Sequence, residues 1–142
     1  MTRVDFYILA DSALESRLSF ACRLIDKIWK RGHDIYIHVP DLISAELVDQ
    51  LLWEEKPDSF IPHSIRHDQP KNHEQIEIGY GNDPGSHHDV MINLGTDIPE
   101  FFSRFERVAE IVCQEKGMLE TSRLNWKFYQ SRGYPLESHK IN

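Results

Sequence analysis

An apolar strand-length run, a long segment of helical periodicity and a second strand-length run fill the first forty residues, and that order leaves the chain few ways to fold. In the first run, Arg3 to Leu9, Val4, Phe6 and Ile8 alternate with Tyr7 and Leu9. A strand apolar on both sides belongs in a sheet covered on both faces. Asp11 or Ser12 then offers an N-cap, and Leu14, Leu18, Ala21, Leu24, Ile25 and Ile28 recur at helical spacing as far as Trp29, before Arg31-Gly32 stops the run. Asp34 to Val39 is the second strand, ended by Pro40. The series predicts a parallel crossover.

The later segments continue the alternation. A second helix is expected from Leu42 or Ser44 to Trp53, carrying Leu47, Val48, Leu51 and Leu52. Ser64 to Asn72 reads as irregular, Gln75 to Gly79 as a short strand and Tyr80 to His88 as a turn-rich loop. Asp89 to Leu94 is another buried strand, Pro99 to Phe105 a short helix and Val108 to Val112 a strand; a last helix starts near Glu115 to Leu119 and stops at Gly133. Strands alternating with helices predict one α/β domain over 1–142, a three-layer sandwich with a mostly parallel sheet. At 142 residues the chain is long enough for a single sizeable core.

Several function classes lose support. The turn after the first strand, Leu9-Ala10-Asp11-Ser12-Ala13, has no glycine to bring backbone close to a pyrophosphate, and no GxxxxGK[ST] loop occurs. The topology is therefore expected to resemble nucleotide-binding domains without a phosphate loop. His63, His67, His73, His87 and His88 lack the spacing of a metal site and read as solvated loop residues. Asp89 beside His88 and Ser86 is no triad, and Glu54 and Glu55 point about 100° apart on a helix. No catalytic centre, cofactor or metal is expected. A net charge of −7 argues against a nonspecific nucleic-acid binder. Cys22 and Cys113 have no CxxC partner, and no signal peptide or run of eighteen apolar residues occurs, which predicts a cytoplasmic chain with structural thiols.

Two binding-type clusters remain. From Lys116 to Lys140 five cations (Lys116, Arg123, Lys127, Arg132, Lys140) face two carboxylates, Glu120 and Glu137. On the last helix Arg123, Trp126, Lys127 and Gln130 share one side, while Leu124 and Phe128, with Thr121 and Met118, can cover a core. Two cations beside an indole suit an anionic, partly apolar ligand, with Val112 as an apolar wall; a solvated face whose Lys and Arg stems shield Trp126 is the competing account. The second cluster is Trp53 with Phe60, Ile61 and Pro62. It either packs a loop onto the sheet or offers an apolar patch to a partner protein.

Leu52-Trp53 followed by Pro57, Ser59, Phe60, Ile61, Pro62 and His63, the opening Asp5-Phe6-Tyr7-Ile8-Leu9, the Asp89 to Leu94 strand and the closing Arg123, Trp126, Lys127, Tyr129 and Gly133 resemble, in order and spacing, the chi subunits of bacterial DNA polymerase III. The resemblance implies a noncatalytic accessory subunit of the clamp-loader complex that joins the psi subunit to the C-terminal tail of single-stranded DNA-binding protein. That tail is acidic and ends in an apolar residue with a free carboxylate. By the same resemblance Arg123 and Lys127 pair with tail carboxylates, Trp126 (often Tyr in the family) packs on the apolar end and Val112 lines the pocket. Trp53 and Phe60, with Ile61 and Pro62, match aromatic and neighbouring positions that bind psi, and the same surface is expected to serve a helicase-like competitor of psi. No direct contact with DNA is expected. The chain departs from the family at Leu119, where a lysine is usual, and at Gln130, where a basic residue is. The departures predict tail binding that is either weaker or shifted toward Lys116 and Arg132, with strong salt sensitivity. The alternative from another class is a small α/β enzyme or nucleotide-binding protein with its active site in the 63–88 loops.

Overall fold

The computed structural model describes residues 1–55, 63–66, 75–81 and 83–141. Seven strands, β1 (Arg3–Leu9), β2 (Ile35–His38), β3 (Ser64–Ile65), β4 (Ile76–Gly79), β5 (Val90–Asn93), β6 (Arg107–Val112) and β7 (Leu136–Ile141), form one sheet in the order β3-β4-β2-β5-β6-β1-β7. Every pairing is parallel. The connections include helices α1 (Leu14–Lys30), α2 (Leu42–Glu55) and α3 (Lys116–Ser131) and a 3-10 helix, Glu100–Arg104.

β1 and β2 run parallel as expected, but β5 and β6 lie between them. Strand alternation divides the interior in two. Ile35, Ile37, Ile92 and Ile111 pack with Leu24, Ile25, Ile28, Val48 and Leu52 of α1 and α2. Val4, Phe6, Tyr36, Met91, Val108 and Val112 turn to the other face, under Phe101, Phe102, Phe105 and Tyr129. Fully burying one such side chain contributes about 1.5–3 kcal/mol, so the three layers follow from strands apolar on both sides.

Buried polar contacts fix the layers. The Arg17 guanidinium of α1 donates to the Ile111 carbonyl at 2.8 Å and the Leu94 carbonyl at 3.2 Å, tying the helix to the ends of β6 and β5. Gly79 is needed for packing, because a Cβ there would run into the Tyr36 side chain.

Four local expectations change, the first at Ser64–Ile65, which was read as irregular and forms the short strand β3 beside β4. The residue before α1 is Ala13, without a side-chain cap; Asp11 instead accepts from the Ala13 amide at 2.8 Å and the Ser16 hydroxyl at 2.7 Å, organising the turn ahead of the helix. α3 is rotated from its expected phase: Leu124 is 68% exposed, whereas Tyr129 is fully buried. The aromatic pair Trp126 and Tyr129 buries more ring surface against the sheet than Leu124 and Thr121 could. β7 was not expected, because Glu137, Ser138 and Lys140 are exposed and only Leu136, His139 and Ile141 are partly covered. It is an edge strand, and polar side chains with a lysine are usual at sheet edges.

Candidate functional site

β1, β6 and α3 meet over a pocket of about 210 Å³. Phe6 and Ile8 of β1 project to the α3 side, and the register that sets Ile8 beside Val112 adds the valine to the floor. Leu119, Ser122, Arg123 and Trp126 of α3 complete the walls. Trp126 stands edge-on to Phe6 with ring centroids 5.0 Å apart, so the indole is a half-buried wall.

α3 is held in this position along its length. At its start Glu115 accepts from the Gly117 and Met118 amides at 3.0 and 2.8 Å, bonds that hold the carboxyl below its usual range. Asn125 donates to the Thr96 carbonyl at 3.2 Å. Near its end the Tyr129 hydroxyl donates to Glu110 of β6 at 2.9 Å, and Asn93 of β5 donates to the same carboxyl at 3.0 Å. Burial raises the Glu110 carboxyl to about 7, against the opposing pull of those hydrogen bonds and the Arg17 charge. Tyr129 is raised as well, by burial and then by the Glu110 charge.

Of the expected tail-binding residues, Val112, Arg123 and Trp126 come together in this pocket. Lys127 is exposed one turn beyond Arg123 and does not line it; Lys116 is exposed at the first position of α3 and does not line it either. Arg132 lies over the Phe128 ring at 4.7 Å, and it and Lys116 sit about 24 Å apart along the helix. The pocket therefore centres on Arg123 rather than on either end. Among the described residues Arg123 and Lys127 enter no ion pair. Leu119, where the resemblance led to the expectation of a lost cation contact, is itself an apolar wall. Phe6, Ile8 and Ser122 were missed by sequence reasoning; only the β1–β6 register could have placed the first two.

The second cluster is partly in view. Trp53 is 49% exposed on α2, with its ring 4.8 Å from that of His63. Phe60, Ile61 and Pro62 lie outside the described residues, as do Pro57 and Ser59. α2 also exposes Ile43 (80%) and Leu47 (47%).

The histidines divide differently from expectation. His87 is buried, with Nε2 2.8 Å from Glu77 Oε1, and Arg66 reaches the same carboxylate at 3.5 Å. The His63 ring is also buried, 3.1 Å from Asp49. Both tie loop segments to the fold instead of standing in solvent. His88 is exposed, and His67 and His73 lie outside the described residues. Asp5, Glu137 and His139 are close enough to suggest a metal. Asp5, however, already meets Arg107 at 2.8 Å, Arg3 at 3.2 Å and His139 at 3.0 Å, and those guanidinium charges oppose a bound cation. Although burial works the other way, the His139 hydrogen bond and the Arg107 and Arg3 charges hold the Asp5 carboxyl below its usual value. No helix among the described residues is long and apolar enough to cross a membrane.

Comparison with known proteins agrees over the whole length. The family described as "DNA polymerase III chi subunit, HolC" matches residues 1–137. The chain is 38% identical over 141 residues to the DNA polymerase III subunit chi of Pseudomonas aeruginosa, covering 99% of this chain and 98% of that one. It is 26% identical over 143 residues to the subunit chi of Escherichia coli, with 97% of each covered. In fold it is similar to a structure of domain 2 of the DEAD-box helicase Mss116p bound to an RNA duplex, with a TM-score of 0.62 and 12% identity over 97% of this chain and 65% of that one. At that identity the likeness concerns the α/β architecture alone. The sequence resemblance, the parallel three-layer fold and the full-length match lead to one conclusion: the chain belongs to the DNA polymerase III chi subunit family.

Proposed function

We propose that the protein is a noncatalytic accessory subunit of the DNA polymerase III clamp-loader complex, bridging the psi subunit and the C-terminal tail of single-stranded DNA-binding protein during replication. The observation that carries the tail half of this reading is the pocket formed by Val112, Arg123 and Trp126, an apolar cleft with a cation at its rim. An acidic peptide with an apolar last residue needs both features. The apolar end enters between Trp126, Leu119 and the Phe6–Ile8 floor, and its carboxylate pairs with Arg123, whose planar fork suits a bidentate contact. Lys127, one turn away, then meets acidic residues further back in the tail. Lys116 contributes only to the field around the helix.

The psi half rests on Trp53 and on the family resemblance around it. Trp53 is a large half-exposed aromatic of the kind that anchors protein interfaces. Phe60, Ile61 and Pro62 are assigned to psi binding by the family resemblance alone. A helicase-like protein that competes with psi would dock there as well. Neither surface calls for a cofactor or for direct contact with DNA.

Calorimetric titration with a peptide of the tail tests the first half. Binding is expected to weaken at least tenfold when the last residue of the peptide is deleted and when Arg123 is replaced by alanine, and to fall steeply with added salt. Salt-independent binding, or binding indifferent to both changes, would contradict the assignment.

A further inference from the structure

The register that turns Phe6 and Ile8 toward α3 turns Arg3 and Tyr7 to the opposite face of β1, where a second cavity of about 380 Å³ opens against α1. That volume lies in the range of small-molecule sites, about 300–1,000 Å³. Its rim is cationic on both sides. Arg3 and Arg107 come from the starts of β1 and β6, and Arg23, Lys27 and Arg31 line up at four-residue intervals along the end of α1. The carboxylate of Asp5 pairs with Arg3 and Arg107. Arg23, Lys27 and Arg31 enter no ion pair among the described residues. A strong local excess of positive charge thus surrounds one cavity on a chain of net charge −7.

Helix electrostatics account for part of this. Cations in the last turn offset the macrodipole by about 0.3–1 kcal/mol each, which covers Lys27 and Arg31 but not Arg3, Arg23 or Arg107. The interior of the cavity is aromatic and aliphatic. Tyr7 is tilted against Phe20 with centroids 5.6 Å apart and stacks on His139 at 4.9 Å, while Leu24 and Ile28 supply aliphatic wall. Arg23 sits over Phe20 at 5.8 Å. A ligand matching this site needs a flat apolar ring and several negative charges close together. Carboxylates bring one charge each, whereas a phosphate ester brings about 1.5–2 with three acceptor oxygens. Arg23, Lys27 and Arg31 step about 6 Å apart along the helix, which spreads them over more than one phosphate. The overall acidity of the chain disfavours a long polyanion, so the bound unit is short.

We propose that this cavity binds a nucleotide, its phosphates on Arg23, Lys27 and Arg31 and its base against Phe20 and Tyr7. The nucleotide is either free or the phosphorylated 5′ end of a single strand. The site is separate from the tail pocket, which lies across the sheet.

Titrations of the intact protein with ADP, inorganic pyrophosphate, and a short oligothymidylate with and without a 5′ phosphate decide the matter. ADP or the 5′-phosphorylated strand is expected to bind, at least tenfold more weakly to the double variant R23Q/K27Q and normally to Arg123→Ala. Phe20→Leu is expected to weaken ADP several-fold while leaving pyrophosphate unchanged, which assigns the ring contact. Preference for the phosphorylated strand over its unphosphorylated form and over ADP identifies a strand end as the source; preference for ADP identifies the free nucleotide. Tail-peptide binding retained by R23Q/K27Q verifies that the variant is folded. The proposal is overturned if neither nucleotide ligand binds, if R23Q/K27Q binds them with unchanged affinity, or if a polyglutamate peptide binds the cavity in preference to both.

Discussion

Glu110 accepts the hydrogen bonds from Tyr129 and Asn93 that help hold α3 in place, and it does so from a fully buried position. In the folded chain burial keeps the carboxyl protonated up to about pH 7, while an ordinary glutamate releases its proton near 4.5. The folded state therefore holds more protons between those values, and the contribution of this group to stability declines as pH rises through that window. The shift corresponds to roughly 3 kcal/mol. Glu110→Gln keeps a carbonyl acceptor for Tyr129 and Asn93 without a charge to bury, so its stability is expected to fall less between pH 5 and pH 8 than that of the wild type. Parallel stability curves from denaturant melts at the two pH values would rule this out. Gly79 makes a different demand. An added Cβ would overlap Tyr36, a buried ring with little room to move, so Gly79→Ala is expected to cost about 1–3 kcal/mol by the same melts. Neither residue stands out in the sequence, because burial of Glu110 and the closeness of Tyr36 to Gly79 both arise from strand pairing.

Among the elements, β1, α1, β2 and β5 were legible within a residue or two at most ends, because their apolar patterns have one interpretation. α3 was legible in extent but not in phase. Leu124 and Trp126 are both apolar and two positions apart, and periodicity alone does not decide which faces inward; Tyr129 on Glu110 and Trp126 on Phe6 decide it. β7 was illegible, since an edge strand with Glu137, Ser138 and Lys140 outward carries little apolar alternation. The phase of α3 gives Leu119 a definite place on the pocket wall. Leu119→Lys adds a cation whose stem can lie along the apolar wall while the ammonium reaches solvent. Exposed ion pairs contribute about 0.2–1 kcal/mol, so tail binding is expected to tighten by about two- to fivefold at low salt, with the gain lost at high salt. A calorimetric comparison that shows weaker binding at low salt would mean that the leucine is the better fit.

Over the whole molecule the sheet order separates the two proposed partner surfaces. α2 lies on one face toward β4 and β3, and α3 on the other face over β6 and β1. The strand positions of β4 and β6 are three steps apart, about 14 Å laterally, with the thickness of the sandwich added. Sites so placed share no side chains and act independently. Trp53→Ala is thus expected to weaken psi binding at least tenfold and spare the tail, and Arg123→Ala to do the reverse, each read from titrations with the separate partners. The overall α/β class and the grouping of Val112, Arg123 and Trp126 could be read from the sequence because they rest on local patterns and a family resemblance; the opposition of α2 and α3 could not, because it depends on β5 and β6 entering between β1 and β2. Titration of the tail peptide into the preformed complex with psi separates a bridge from a site that the two partners share. A bridge keeps the tail affinity of the free protein and forms a stable three-component complex; release of psi by the tail, or loss of tail binding once psi is bound, would show that the protein does not bridge them.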